Sequence, residues 1–519
     1  MTTRPIAGCH TARSGVTWLL ALLAAGVCLL LVYRIHAAGQ TTWALGVGAL
    51  LAAGFFVYLS NIAFAYRYLF PGLAAMGVFV AFPLLYTAQI GFTNYSSAHL
   101  LSLERSRAYL LDQTWVDEDQ AMVFTLHPDG GRWRLLLASN PESPGQAPGA
   151  WLSPPLDLRA SASPVPVAMR ALDTGDRPQS AALALAEVLK LRSALMNLEL
   201  DLPSGDRLRY AGVREFARLH PLWSAGQDGS ITLIESGAAY RPNMDHGFFE
   251  SASGERAQPG FKVGVGLANY TRMIIDPDFR GPFLSIFVWT VMFSALTVLF
   301  TLAIGMPLAV LLNWESLRFR TTYRTLLFLP YAVPAFISIL VFKGLFNQNF
   351  GEINAILNAL FGIRPAWFAD PLLAKVMILI VNTWLGYPYI MILCSGLIKA
   401  IPADLYEASA IAGATPLTNF FRITAPLIMR PLTPLLITVF AFNFNNFVVI
   451  ALLTDGRPDY LNTKLPAGTT DILVSYTYRI AFQDSGQNFG LAAAISTVIF
   501  FMVALLSFAN LRLANAERR

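Results

Sequence analysis

Charge is what this 519-residue chain has least of. Only 13% of its residues are Asp, Glu, Lys or Arg, where an average soluble domain carries about 25%. With 55% hydrophobic residues and a mean hydropathy of +0.51, this excludes a disordered chain and argues against an ordinary soluble enzyme. Cysteine is nearly absent: Cys9, Cys28 and Cys394 are too few and too scattered for a disulfide framework or a four-ligand zinc site. No Gly-Lys dipeptide occurs, so there is no P-loop and no nucleotide hydrolase of that class. The six histidines are scattered, and none falls in the last six apolar runs, against a histidine-based metal site there. Residues 1–91 contain no acid at all.

The charge that is present is segregated. Of 37 basic and 32 acidic residues, 18 and 22 lie between Phe92 and Pro282, leaving 19 and 10 elsewhere. The chain is therefore two materials: an acidic insert of net −4 and an apolar, basic body of net +9. The overall +5 consequently gives no argument for nucleic acid as a partner.

The body holds eight apolar runs: Val16–Val32, Thr42–Ser60, Phe70–Ile90, Phe283–Leu312, Thr325–Phe342, Val376–Ile398, Leu432–Leu453 and Leu491–Leu511. None contains a charged residue. Each approaches the ~20 residues that cross a hydrocarbon core of about 30 Å, and together they predict an all-α polytopic protein in contact with lipid. With the N-terminus inside, twelve basic residues fall in inside segments and seven in outside segments other than the long insert. That bias predicts both termini in the cytoplasm and residues 92–282 outside the membrane. Ile6-Ala7-Gly8-Cys9 resembles a lipoprotein cleavage box but precedes the apolar run, so the first run is expected to stay as an uncleaved anchor.

The chain thus divides into 1–91 with three spans, 92–282 as an inserted domain, and 283–519 with five spans. In the insert, Ala121–Leu126 and Trp133–Ser139 flank Pro128-Asp129-Gly130-Gly131, which predicts a hairpin. Apolar spacing over Ser180–Leu198 predicts an amphipathic helix, and Ile231–Glu235 and Phe261–Val265 read as strands. Asn140–Pro166, rich in Pro, Ser and Gly, reads as loop. Trp115, Trp133, Trp151 and Trp223 are candidates for a core in this α+β, mostly-β domain. A folded insert of this size is expected to dock something outside the membrane.

Polar residues inside the spans locate a path. The seventh run carries Phe440-Ala441-Phe442-Asn443-Phe444-Asn445-Asn446-Phe447. Asn443 and Asn446, three apart, are expected on one helix face. Amides in a membrane also serve as glue between helices, and their number alone leaves both readings open. The phenylalanines favour a neutral, polyhydroxylated ligand, whose apolar face meets rings while its hydroxyls meet amides. The sixth run adds Asn382-Thr383-Trp384-Leu385-Gly386-Tyr387-Pro388-Tyr389, where Gly386 and Pro388 are expected to loosen the helix. No carboxylate lies in a span, which leaves no acid-based proton relay there.

The most specific signal lies between the sixth and seventh runs, at about 400–431. It reads Glu407-Ala408-Ser409-Ala410-Ile411-Ala412-Gly413-Ala414, then Phe420-Phe421-Arg422-Ile423-Thr424-Ala425-Pro426. Pro402 can open a short helix, the small residues give it a slim surface, and Gly413 permits a sharp reversal. The whole spacing resembles the EAA loop of ATP-binding-cassette importer permeases, with Ala412 and Ser409 in place of the usual Asp and Ala. Further runs extend the resemblance: Thr93–Ser97, Leu329–Pro334, Lys343–Gln348, Asn382–Pro388, Phe440–Phe447 and Tyr476–Phe482. From about Tyr66 onward the chain is similar to the larger membrane subunits of bacterial maltose/maltodextrin importers.

That resemblance implies a type I importer permease fold and a non-catalytic transport subunit that itself carries no cofactor. It implies a second permease subunit, a cytoplasmic ATPase dimer holding ATP and Mg, and a periplasmic sugar-binding protein. It implies that Glu407, Ala408, Ser409, Gly413, Ala414, Ile423 and Pro426 couple to the ATPase. It also implies that Leu385, Gly386, Tyr389, Phe442, Asn443 and Asn446 hold maltose or maltodextrin in the membrane. Val439 stands where that family has a sugar-contacting serine, so cargo preference is open to change. A permease for another neutral sugar, a secondary transporter and a membrane-anchored receptor remain the competing readings.

Overall fold

The computed structural model describes residues 8–59, 64–116, 121–139, 149–158, 165–173, 176, 178, 180–461, 463 and 466–516. By compactness it forms two units, one of residues 1–91 with 493–505 and one of 92–492 with 506–519.

In the first unit the N-terminal helix Gly8–Ala37 is followed by Thr41–Leu59 and by a helical run from Phe70 to Gly91. Phe70–Gly91 contains one π-turn, at Gly77–Ala81. Trp43 packs edge-on against Phe82 and Tyr86, and Arg67 Nε donates to the Val57 carbonyl at 3.2 Å. These helices expose leucine and phenylalanine on nearly every side, as a solvent of lipid allows.

Six helices of the described residues are long and apolar enough to cross a membrane: Leu19–Ala37, Phe70–Gly91, Pro277–Asn313, Pro371–Ile398, Pro416–Phe444 and Phe489–Phe508. Two of the eight predicted runs depart from this form. The second offers only the shorter apolar helix Trp43–Leu59. The fifth is two helices, Arg320–Ala332 and Ala335–Leu345, bent by 89°. The bend has a local cause: Val333 precedes Pro334 and is extended (φ −90°, ψ 132°), the conformation that a following proline ring enforces.

The predicted seventh run, Leu432–Leu453, is displaced and interrupted. Its helix already begins at Ala425, ends at Phe444, and resumes as Phe447–Leu453. Asn445 (φ −111°, ψ 16°) and Asn446 (φ −77°, ψ 73°) lie outside both helices, so Asn446 does not share a helix with Asn443.

Spans Pro277–Asn313 and Pro371–Ile398 pack along their length, and two glycines allow it. A Cβ on Gly305 would come within 2.9 Å of the Met391 nitrogen, and one on Gly386 within 2.9 Å of Thr301 Cγ2. Supported in this way, the sixth span runs unbroken through Gly386 and Pro388, where the sequence suggested loosening.

The insert is mostly β. The predicted hairpin forms as Met122–Asp129 and Arg132–Ser139, closed by Gly130-Gly131 with φ of 57° and 85°. Glu215–Ala217, Arg207–Gly212, Leu198–Asp201 and Val165–Ala168 extend it on one side, and Ala150–Leu152 and Arg170–Ala171 on the other. Alternate residues Phe124, Leu126, Leu135 and Leu137 enter its core. A second, five-stranded meander runs from Trp223 to Ala257.

Several local readings of the insert are corrected. Ser180–Leu198 is two short helices, Leu185–Lys190 and Arg192–Leu195, because its ends are claimed by the sheet. Leu183 N donates to the Leu126 carbonyl, and Leu198 opens a strand parallel to Val165–Ala168. Ile231–Glu235 is a strand only over Ile231–Leu233. Trp223 is buried and Trp133 and Trp151 line the core, but Trp115 is exposed and stacks on His220. Of Asn140–Pro166, read as loop, the described residues 149–158 and 165–166 include the strand Ala150–Leu152 and the start of Val165–Ala168, recruited by pairing with distant strands. The rest of it lies outside the described residues.

Phe261–Val265 forms no regular strand. It zips instead to residues 92–101, making a neck from which the insert departs. Val263 N donates to Asn94 Oδ1 at 2.8 Å, Lys262 N to the Leu101 carbonyl at 2.8 Å and Val265 N to the Phe92 carbonyl at 2.8 Å. His99 caps the neck: Nε2–H donates to the His246 carbonyl at 3.0 Å, while Nδ1 accepts a hydrogen bond from the Ser96 hydroxyl at 2.8 Å. Burial holds this imidazole below its ordinary value and so keeps it neutral. The Thr93–Ser97 run singled out in the sequence is this neck.

Between the last two spans lies a charge cluster with no sequence signal. Arg479 donates to Asp471 at 2.8 Å and to Asp459 at 2.6 Å, and Asp471 is fully buried. Ser475 Oγ and Gly468 N also donate to Asp471, at 2.8 and 2.7 Å. The segment is pinned to the fourth span by Trp289 Nε1–Thr470 O at 3.3 Å and Leu473 N–Thr290 Oγ1 at 3.0 Å. Arg479→Met, which strands the Asp471 carboxylate, is expected to cost about 3–5 kcal/mol and lower the thermal midpoint of the purified protein. Adding Asp471→Leu restores most of the loss; an unchanged midpoint for the single variant would contradict this account.

Candidate functional site

Two places in the membrane body combine polarity with an irregular backbone. The first is an amide cluster beside the break in the seventh span. Asn382, on the sixth span and 4% exposed, is its hub. Its Nδ2 donates to Asn443 Oδ1 at 2.8 Å and to Thr297 Oγ1 on the fourth span at 3.1 Å. Its Oδ1 accepts from Asn446 Nδ2 at 3.1 Å. Asn443 Nδ2 returns to the Val439 carbonyl of its own helix at 2.8 Å. Three hydrogen bonds thereby join Asn382 to its neighbours and a fourth stays within one helix, in a setting where unmet amides are costly.

The cargo residues expected from the sequence divide around this cluster. Asn443 is 4% exposed with both amide ends engaged, which is the helix-glue arrangement. Asn446 is half-buried and keeps its carbonyl oxygen outside the cluster. Phe442 and Tyr389 are 69% and 40% exposed, so their rings are available to a ligand. Leu385 packs against the apolar core of the spans, and Gly386 is the close crossing over Thr301. Tyr387 turns its hydroxyl to the Leu327 carbonyl at 2.9 Å, tying the sixth span to the first half of the bent fifth. Sequence reading quoted Asn382 only within a motif and missed its role. The signal was there, an Asn in an otherwise apolar span, but its partners lie 61 to 85 residues away.

The second place is the hairpin between the sixth and seventh spans. Helix Asp404–Ile411 is entered through Pro402, whose carbonyl accepts from Leu405 N at 3.3 Å. Gly413 turns the chain with φ 73°, a conformation that favours glycine. Thr415 caps the short helix Pro416–Asn419, and a π-turn over Phe420–Thr424, which contains Ile423, leads into the seventh span with Pro426 in its first turn. Two side-chain bonds hold the arms together: Tyr406 to Thr424 at 2.9 Å, and the Ser409 hydroxyl to the Asn419 carbonyl oxygen. Ser409 therefore faces inward as a staple, while Ala408, Ala410 and Ala412 form the slim outer surface and Ala414 is half-buried. Glu407 is exposed and makes no ion pair among the described residues. Around it Ile411 is 90% exposed, Leu417 67% and Phe421 62%, an apolar surface that sequence reading did not single out.

Two family patterns divide the chain. Residues 301–517 match the binding-protein-dependent transport system inner membrane component, and residues 101–266 match the P2 domain of the maltose transport system permease protein MalF. The chain is thus a permease, a non-catalytic membrane component of a binding-protein-dependent transport system. Its relatives are alike over nearly their whole length. The maltose/maltodextrin transport system permease protein MalF of Escherichia coli K12 is 48% identical over 93% of both chains, and that of Photorhabdus laumondii 49% over 96% of both. The chain belongs to the MalF family. A solved bacterial importer of the acidic polysaccharide alginate aligns at TM-score 0.40 and 22% identity, over 48% of this chain and 84% of that one. That likeness is too loose to carry weight.

The hairpin's two staples give a direct test. Tyr406→Phe with Ser409→Ala removes two bonds worth about 1 kcal/mol each, so amides of Asp404–Ile411 are expected to exchange with solvent roughly thirtyfold faster. Unchanged exchange would show that the arms are held by packing alone.

Proposed function

We propose that this chain is the permease subunit through which maltose and maltodextrins cross a bacterial inner membrane, driven by ATP hydrolysed on a separate chain. Both termini lie in the cytoplasm and the insert lies in the periplasm, where it docks a sugar-binding protein. A second permease subunit completes the path. The ATPase pair, which carries ATP and Mg, grips the 403–426 hairpin. No cofactor belongs to this chain.

The observation that carries the reading is the hairpin: a slim alanine surface, an exposed Glu407 and exposed Ile411, Leu417 and Phe421 on a short, doubly stapled turn. An isolated chain does not keep such apolar side chains in water without a partner. Because the hairpin feeds directly into the seventh span, motion of its partner reaches the break at Asn445-Asn446 through continuous helix. Nucleotide-driven closure of the ATPase then switches access to the sugar site. That site is built from Leu385, Gly386, Tyr389, Phe442, Asn443 and Asn446. Phe442 and Tyr389 supply rings for the apolar face of a glucosyl unit, and the Asn446 amide oxygen meets a hydroxyl while Asn443 holds the site's wall. Val439 gives the site one hydroxyl fewer than the family's serine.

Glu407→Lys is expected to abolish sugar-stimulated ATP hydrolysis by the assembled complex, with normal stimulation counting against the coupling role. Asn443→Leu is expected to reduce maltose uptake at least tenfold, as a lost charge-free contact with a knock-on to the amide cluster. A panel of neutral disaccharides assayed for the same stimulation separates maltose from another cargo.

A further inference from the structure

Between the bent fifth span and the sixth, at the end of the sixth opposite the 404–424 hairpin, lies a short helix with no part in the cargo path or the hairpin. Glu352–Phe361 has ten residues, so it is about 15 Å long, about half of what a crossing needs. It is apolar on both sides. Ile353 and Leu357 pack against the core of the spans, which includes Trp289, Phe293, Met377 and Ile378. Ile356 and Leu360, four apart and so on one face, are exposed instead. Phe361 and Ile363 beside them are exposed too, and Phe350 just before the helix is 90% exposed. We propose that this helix lies in the plane of the membrane surface, its outer face set into phospholipid at the boundary between headgroups and acyl chains.

Three observations favour lipid over a protein as the occupant. The first is depth. Phe346 and Trp367, one on each connection, are buried, meet edge-on with ring centres 4.9 Å apart, and belong to the same core as the spans. The buried Asn354 laces the segment shut: Nδ2 donates to the Gln348 and Pro365 carbonyls at 3.1 and 3.0 Å, and Oδ1 accepts from Trp367 Nε1 at 2.8 Å. The helix is thus held against the ends of two membrane elements and cannot stand off into water. The second is polarity. Between Asn347 and Ala369 the only charged residues are Glu352 and Arg364, both exposed. They flank the apolar face, where a zwitterionic headgroup offers a cation to one and a phosphate to the other. No exposed side chain between them can form a hydrogen bond, whereas a protein interface carries about one such bond per 100–200 Å². The third is continuity. Leu372 begins an exposed apolar stripe with Val376 and Ile380, so the sixth span turns apolar side chains outward from its first turn. A soluble partner that comes and goes would return the helix's outer face to water, and lipid does not leave.

The experiment reads the depth of single labels in the assembled complex, held in nanodiscs of phosphatidylethanolamine and phosphatidylglycerol. In a background of Cys9→Ser, Cys28→Ser and Cys394→Ala, Ile356→Cys or Leu360→Cys carries a polarity-sensitive fluorophore, with Glu352→Cys as the reference for the water side. An interfacial helix sets its apolar face about 5–10 Å below the surface. The labels replacing Ile356 and Leu360 are therefore expected to be quenched about twofold more strongly by a lipid nitroxide high on the acyl chain than by one near the chain's end. Iodide in the water should quench them about threefold less than it quenches the label replacing Glu352. Iodide quenching equal to that reference overturns the proposal, because the face is then in water. Shelter from iodide and from both lipid nitroxides overturns it too, because another protein then covers the face. Strongest quenching by the nitroxide near the chain's end also overturns it, because the helix is then sunk in the hydrocarbon. Should both labelled variants fail to assemble, Ile363→Cys, beyond the helix, carries the same comparisons and is judged by the same outcomes.

Discussion

In hydrocarbon a polar group has no water to fall back on, and each departure from regular helix in this body answers to that constraint. The break at Asn445-Asn446 is spanned by amide bonds to Asn382. The bend at Val333-Pro334 falls where a proline has no N–H to leave unmet, and the sixth span is tied to its first arm through Tyr387 and the Leu327 carbonyl. Hydroxyls along the fourth span, Thr290, Ser294 and Thr301, return to carbonyls of their own helix. Much of the polarity inside the body is thus met on its own helix or across to a neighbouring element, while the buried Thr383 hydroxyl has no partner among the described residues.

The same constraint explains what could be read from the sequence. Apolar runs of bilayer length reveal helices because lipid imposes their length, so most of the runs coincide with long helices, the bent fifth and the interrupted seventh apart. The hairpin's reversal at Gly413 was legible because a positive φ needs glycine, and the insert's Gly130-Gly131 turn for the same reason. The bend in the fifth run was less so, since prolines are common in membrane helices and only the neighbours decide whether one kinks.

What escaped was long-range. Nothing local in Ser180–Leu198 says that a strand will recruit its last residue and a hydrogen bond its first, so helical periodicity was overridden. Asp471 and Arg479 are eight residues apart and look like loop charges; only folding shows one fully buried against the other. Asn382 was visible as an oddity in an apolar run, yet its importance lies in partners from two other spans. Residue type marked the polar positions in the apolar runs, but the direction in which each amide points is a property of the assembled bundle.

The neck of the insert has a consequence for what the spans require of it. Its outgoing and returning segments, 92–101 and 261–265, are zipped side by side, so the insert enters and leaves the body at a single place. Residues added or removed beyond that zipper alter the insert without changing the register of any span. A tight turn at that place would close the chain without the insert, which makes the insert a cassette that the spans do not need for their register.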